Sequence, residues 1–323
     1  MKKVMSIFFS LLLLAACGDS GSTTLNTDAV TSEPAAESAV ATEMPAQSQE
    51  TTEPSDVKLD GPAIDYPESI VSLSPTATEM LFAIGAGEQV IAVDNYSYWP
   101  PQAPVVDDLS GWNPNVEAIA AFEPDLVILS DTGVQEELEL LGIQVYIAAA
   151  AVELEDVYSQ LEEIGEITGN SDGSSIVIGE MREQIKEIVE AIELPADSLT
   201  YFHELDDTLY SVTSSTFIGQ IYAMTGLKNI ADPADEDGTA WGYPQLSEEF
   251  ILQADPDIIF FADATCCAQS LSTISARPGW SELSAVRNGN IFEIDSDISS
   301  RWGPRLVDFL KTVSDAVSTV NAR

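Results

Sequence analysis

The phrase VEAIAAFEPDLVILS, from Val116 to Ser130, returns later in the chain as EEFILQADPDIIFFA, from Glu248 to Ala262. Laid over each other, the two copies place Glu117 on Glu249, Pro124 on Pro256 and Asp125 on Asp257, at one constant offset of 132 residues (117 to 249, 124 to 256, 125 to 257). Each copy reads as a short helix, a Pro-Asp turn and an apolar strand. Helix, Pro-Asp and strand form a common α/β connection, so the motif alone does not prove a duplication. It constrains the chain to a repeated α/β plan only if the residues around both copies also match one.

They do. Before the first copy, SIVSLS (Ser69 to Ser74) is a β-rich run, PTATEMLFAIGAG has helical spacing with a glycine stop, and QVIAVD, DLVILS and QVYIAA are apolar strand candidates. Strands that alternate with helices indicate a parallel sheet covered on both faces. After Leu154 the period becomes helical to about Thr168. Beyond the break GNSDGS a second helical stretch, Ser174 to Glu193, predicts a rod of about 30 Å. After Pro195 the alternation resumes with LTYFHEL, LYSVT, the helix TFIGQIYAMTGL, SEEFILQA, DIIFFA, GNIFEI and a final helix from Pro304 to about Val320. The expected plan is a signal peptide at 1–16, a linker at 17–62, an N-terminal α/β lobe at 63–170, a bridging helix at 171–194 and a C-terminal α/β lobe at 195–323.

The chain begins MKKVMSIFFSLLLLAAC, with two lysines before an apolar run and small residues before Cys17, as a secretory signal does. Its ending, LLAAC, looks like the lipobox of bacterial lipoproteins, which predicts lipidation of Cys17; an ordinary signal with an incidental cysteine is the alternative. The following Ser, Thr, Ala, Pro and Glu stretch carries too little apolar surface to fold. As a coil of about 45 residues it would reach roughly 35–40 Å. The formal charge is −42 and becomes two units more negative once Lys2 and Lys3 leave with the signal. Nucleic acid, which needs a basic surface, is thereby excluded as a partner. Such acidity speaks of solubility or a salty habitat more than of a site. Cys266 and Cys267 are adjacent. A bridge between them would be strained, because neighbouring Cα atoms sit about 3.8 Å apart; a vicinal disulfide and two plain thiols both remain open. With one histidine and no further cysteine beyond Cys17, a metal site lacks ligands.

From about Tyr66 to the C-terminus the motifs SIVSLSPTATEMLFAIGAGEQVIAVDNYSYWPPQAP, FEPDLVI, ADPDIIF, RPGWSELSAVRNGNIFEID and GPRLVDFL resemble, in order, the substrate-binding proteins of ABC importers for cobalamin, ferric siderophores and haem. The resemblance implies an α/β fold of two Rossmann-like lobes joined by a single long α-helix, with a ligand cleft between the lobes. It implies a protein that acts as a monomer outside the cytoplasmic membrane, in the periplasm or lipid-anchored on the membrane's outer face. Its partners would be a corrinoid or iron-chelate ligand and an ABC permease dimer, with no cofactor of its own. In cobalamin-type members a glutamate at the start of this helix in each lobe docks on the permease, and Glu117 and Glu249 match those positions. A two-lobed protein on a two-fold transporter needs such a duplicated contact. Two solvated glutamates favoured by a helix dipole are the plainer reading.

In α/β lobes, ligands bind beyond the carboxyl ends of the strands. Loops expected there carry Tyr96, Tyr98, Trp99, Trp112, Trp241 and Tyr243, whose faces suit a large, planar, partly apolar ligand. By motif, Tyr96, Trp112 and Tyr243 match aromatic contacts in cobalamin binders, and Asp297 matches a cleft carboxylate that accepts a hydrogen bond from ligand. Arg301 and Arg305 would meet an anionic ligand, although Arg305 has the option of a carboxylate in its own lobe. His203 is a candidate axial ligand to a bound cofactor's metal, or a neutral histidine bonded to Glu204 or backbone. The leading expectation is corrinoid capture, with ferric siderophore and then haem as alternatives. A secreted hydrolase is the contrasting class; His203 could serve a serine, but neither a G-x-S-x-G elbow nor a P-loop is present.

Overall fold

A computed structural model describes residues 65–193 and 198–322. The expected signal peptide, Cys17 and the linker lie outside the described residues. The first lobe runs β1 (Ile70–Ser72), α1 (Pro75–Ala83), β2 (Val90–Val93), α2 (Val116–Ala120), β3 (Leu126–Leu129), α3 (Gln135–Leu140) and β4 (Gln144–Ile147). Its sheet is all parallel, in the order β2-β1-β3-β4. Two helices follow, α4 (Leu154–Thr168) and α5 (Ser171–Glu190). The second lobe runs β5 (Thr200–Glu204), α6 (Phe217–Met224), β6 (Lys228–Asn229), α7 (Glu248–Ala254), β7 (Ile258–Phe261), α8 (Ala264–Cys267), α9 (Leu271–Ser275), α10 (Ser284–Asn288), β8 (Ile291–Glu293), α11 (Ser296–Ser300) and α12 (Leu306–Asn321). Its order, β6-β5-β7-β8, repeats the first.

The repeated phrase is repeated in its local chemistry. Asn115 caps α2 by accepting from the Ala118 amide, and Ser247, 132 residues on, caps α7 by accepting from the Phe250 amide. Both units then pass through a left-handed residue, Glu123 (φ 51°) and Asp255 (φ 45°), before the Pro-Asp pair. The aspartate then clamps the neighbouring strand. Asp125 Oδ2 accepts from Ser69 N and Ser69 Oγ at 2.9 and 2.8 Å, and Asp257 Oδ2 accepts from Thr200 N and Thr200 Oγ1 at 2.8 and 2.9 Å. Each aspartate thus fixes the start of a central strand against its neighbour.

The inner faces of the two sheets share one core. Met80 and Leu81 of α1, Leu161 of α4, Ile178, Met181 and Ile185 of α5, Tyr222 of α6 and Phe309 and Leu310 of α12 belong to a single buried cluster. The outer face of each sheet has a separate cluster, around Val71 and Val127 in the first lobe and around Phe202 and Trp280 in the second. Helix α5 packs against both α4 and α12. A Cβ on Gly173, in its first turn, would come within 1.9 Å of the Ile84 carbonyl oxygen at the end of α1, so glycine permits that close approach.

Three sequence expectations need correction. The bridging helix starts one turn earlier than the 174–193 reading: Gly169 (φ 76°) ends α4 and only Asn170 separates it from α5, because Ser171 and Asp172 are good first-turn residues. LYSVT is not a strand. Leu209 turns at φ 68°, and the segment beyond it pairs as a loop, with Ser211 N donating to the Pro244 carbonyl and Thr213 N to that of Gly242. The fourth strand of that sheet is instead the two-residue β6, too short to leave a periodic signal.

Candidate functional site

The carboxyl ends of both sheets carry the loops singled out in the sequence. Three adjoining cavities lie there. One of about 220 Å³ is lined by Asp94, Tyr96, Trp112 and Asp131 of the first lobe. One of about 270 Å³ joins Tyr96 and Ser130 of the first lobe to Asp297, Arg301 and Trp302 of the second. The largest, about 400 Å³, lies between Ala150, Ala151 and Val152 on one side and Leu205, Trp241, Tyr243 and Trp302 on the other. Together they form a cleft between lobes with aromatic side chains at both ends.

Trp112 and Trp241 are 88% and 86% exposed, an unusual cost for the largest apolar side chains unless something covers them. Both sit on loops held in place by aspartates. In the first lobe the buried Asp94, just past β2, accepts from the Ser97 hydroxyl and, at 3.1 Å, from the Gly111 amide beside Trp112. In the second, Asp235 accepts from the amides of Ala240 and Gly242, each at 2.7 Å, so it grips the loop on both sides of Trp241. Trp241 itself has φ 57°, a left-handed conformation that costs a non-glycine residue roughly 1 kcal/mol or more. The two rims are therefore pre-shaped, and an ordered loop loses little entropy on binding.

A network of charges crosses between the lobes beside these cavities. Glu79 of α1, buried, accepts from Arg301 Nη1 at 2.9 Å and from Arg305 Nε and Nη2 at 2.9 and 2.6 Å. Arg301 also donates to Asp297 Oδ1 and to the Tyr96 carbonyl, at 2.9 and 3.1 Å. The Tyr98 hydroxyl donates to Asp297 Oδ2 at 2.6 Å, and burial followed by that bond raises its pKa above the usual tyrosine value. Arg301 lies over the Tyr98 ring and Arg305 over the Trp99 ring, at 5.2 and 4.6 Å from the centroids.

The sequence-derived candidates thus separate. Tyr96, Trp112, Trp241, Tyr243, Asp297 and Arg301 line the cleft. Tyr98 is spent on the charge network, and Trp99 lines a different cavity with Glu79 and Arg305. The carboxylate that Arg305 pairs with belongs to the opposite lobe, correcting the expectation of a partner in its own. His203 is corrected outright as a ligand contact. It lies in β5 at 0% exposure, with Nδ1 2.7 Å from the Tyr222 hydroxyl, and burial pushes its pKa down to about 3. Strand alternation turns it onto the apolar inner face, so it serves the core. Glu117 and Glu249 are exposed in the first turns of α2 and α7. Cys266 and Cys267 are free thiols. No group of three or more His, Cys, Asp or Glu among the described residues is arranged to hold a metal ion.

Sequence reasoning missed Glu79, Asp94 and Asp235. A polar residue inside the apolar helical run TEMLFAI and an aspartate ending QVIAVD were the available signals for the first two; Asp235 stands among acidic loop residues and gave none.

A family model described as periplasmic binding protein matches residues 70–298. An uncharacterised ABC transporter substrate-binding lipoprotein of Bacillus subtilis is 28% identical over 261 residues, covering 78% of this chain and 80% of its own. A cobalamin-binding protein of Halobacterium salinarum is 30% identical over 265 residues, covering 77% of this chain and 69% of its own. Among solved structures, the periplasmic haem-binding protein HutB of Vibrio cholerae superposes with a TM-score of 0.67 at 21% identity, over 76% of this chain and 97% of that one.

Proposed function

The chain belongs to the periplasmic binding protein family, as a substrate-binding protein of an ABC importer for vitamin B12, haem or siderophore and not an enzyme, and from that premise we propose that its ligand is a cobalamin-type corrinoid. One observation carries the choice: the cleft offers aromatic faces and carboxylates but no unpaired cation. Arg301, the only basic residue among those lining the three cavities, already bonds Glu79 and Asp297. An anionic ligand such as a haem, with its two propionates, would have to compete with those carboxylates. A corrinoid presents a ring of amide N–H donors, which Asp131 and Asp297 can accept, and a large planar body for Trp112, Trp241 and Tyr243. The cobalamin-binding relative points the same way. On this reading Cys17 carries the lipid anchor, and Glu117 and Glu249 seat the loaded protein on a permease dimer.

The test is an equilibrium titration of the purified protein with cyanocobalamin, followed by tryptophan quenching and checked by calorimetry. One-to-one binding is expected. Trp112→Ala, Trp241→Ala and Tyr243→Ala should each weaken it about tenfold, near 1.4 kcal/mol. Failure to bind corrinoid, together with saturable binding of haem or a ferric chelate, would overturn the choice of ligand.

A further inference from the structure

Away from the cleft cavities, the ends of β5 and β7 bring two carboxyl groups together in a dry place. Glu204, the last residue of β5, and Asp263, two residues past β7, are both at 0% exposure. Their chains are tied by the Ala262 amide, which donates to the Glu204 carbonyl at 3.0 Å. Glu204 is held in a two-pronged pair by Arg277, with Nη1 and Nη2 each 2.6 Å from one of its oxygens. Asp263 has no such partner. Neither of its carboxyl oxygens accepts a hydrogen bond from a donor among the described residues, and the charge of Glu204 acts on it across the paired ends of the two strands. Aspartate at the N-cap of a helix ordinarily accepts from the helix's own amides. Asp263 occupies that position before α8 and leaves them uncapped.

Two carboxylates on one guanidinium would leave a net negative charge with no water to solvate it, and burying an unpaired charge is among the most costly arrangements in a protein. A proton removes the conflict: a neutral Asp263 hydroxyl donates to a Glu204 oxygen, Glu204 stays ionised against Arg277, and the cluster sums to zero. We infer that Asp263 and Glu204 form a buried proton-binding site, occupied in mildly acidic solution, and that release of this proton loosens the strap formed by residues 264–277, which ends on Arg277.

The strap is built to respond. Arg277 donates to Gln269 Oε1 at 3.0 Å, and Gln269 Nε2 donates to the Cys267 carbonyl at 3.3 Å, so the guanidinium that balances Glu204 also holds α8 and α9 in place. An ionised Asp263 competes with Glu204 for that guanidinium. The groups facing the site are few. Glu204 comes from β5, Arg277 from the segment after α9, Cys266 and Cys267 from α8, and Glu248 of α7 acts on Arg277 from outside. Burial, and then the neighbouring Cys267 thiol, push the Cys266 thiol up to about 12, so it stays neutral through the relevant range. Burial, and then the Glu204 charge, push Asp263 up to about 7. An acid whose folded pKa is raised binds more protons folded than unfolded, so its contribution to stability falls as pH rises from the usual carboxylate range through 7. His203, whose pKa is lowered, acts oppositely, since its contribution is lost as pH falls below 6.5, but it stands on the other face of β5.

The test compares the full protein with Asp263→Asn, whose amide can donate to Glu204 without titrating. Thermal midpoints at fixed salt should differ least near pH 4. They should diverge as the pH rises toward 7 and keep a constant gap above it, because wild type alone loses stability over that range, so that their difference isolates Asp263 from every other acid. In the wild type, infrared spectra should show a protonated carboxyl band at pH 6 that titrates away with a midpoint near 7 and is missing from the variant. Hydrogen exchange of residues 264–277 should rise over the same range. Parallel pH profiles for the two proteins, or no protonated carboxyl band in wild type at pH 6, would overturn the inference. The infrared and exchange readings on wild type decide the matter even if the variant folds poorly.

Discussion

At the scale of single residues, the most consequential side chain is Glu79, a carboxylate in the middle of an apolar helix. Its neighbours make it buried, and two guanidinium groups from the other end of the chain make its burial tolerable. Taking away one member of such a set leaves the others charged in a dry place, which costs more than the set's net worth. Glu79→Gln should therefore destabilise the fold by about 3–5 kcal/mol, read as a lowered denaturant midpoint with an unchanged slope. Arg305→Met should cost less, since Glu79 would keep Arg301. His203 makes the complementary point. Its chemistry invites a functional reading, but which face of a strand a residue takes is decided by alternation, and on the inner face of β5 His203 meets the Tyr222 hydroxyl inside an apolar core.

At the scale of elements, the repeated phrase proves to be a unit of construction as well as of composition. Cap, short helix, left-handed turn, proline and clamping aspartate recur at the same spacing, and the clamp ties the start of β1 to β3 and of β5 to β7. Hydrogen bonds to a charged acceptor contribute about 1.5–3 kcal/mol, so Asp125→Ala and Asp257→Ala should each lower stability by about that much. The two sites share no partners, and the double variant should lose the sum of both in denaturant titrations. This level was legible in the sequence because everything in the unit lies within a few residues along the chain. The same holds for the strands β1, β2, β3, β4, β5, β7 and β8, whose apolar runs are written locally. The network that crosses the lobes was not legible. Glu79 and Arg301 stand 222 residues apart, and neither carries a local sign of the other. LYSVT misled for a related reason: Ser211, Val212 and Thr213 are buried, but their backbone pairs with a loop that returns through Gly242 and Pro244, not with a sheet.

At the scale of the whole molecule, two helix starts carry exposed glutamates at matching positions, Glu117 and Glu249, and the two lobes repeat one plan. If Glu117 and Glu249 seat the protein on a permease dimer, their joint reversal, Glu117→Lys with Glu249→Lys, should abolish ligand uptake by cells while leaving the affinity of the purified protein unchanged. Uptake that survives the double reversal would remove these residues from the docking surface. Charges at such a rim act chiefly on encounter and orientation, so raising the salt should weaken docking in the wild type more than in the variant. The lobes are also joined through their common core. Since α4, α5, α12 and the inner faces of both sheets lie in one interior, prising the lobes apart means tearing apolar side chains from one another through the middle of the protein, at about 25 cal/mol for each Å² uncovered. Such a body is a vice with a fixed gap and not a hand: the distance between its two rims is set by the core behind them, so the size of what fits is decided when the chain folds and not when the ligand arrives.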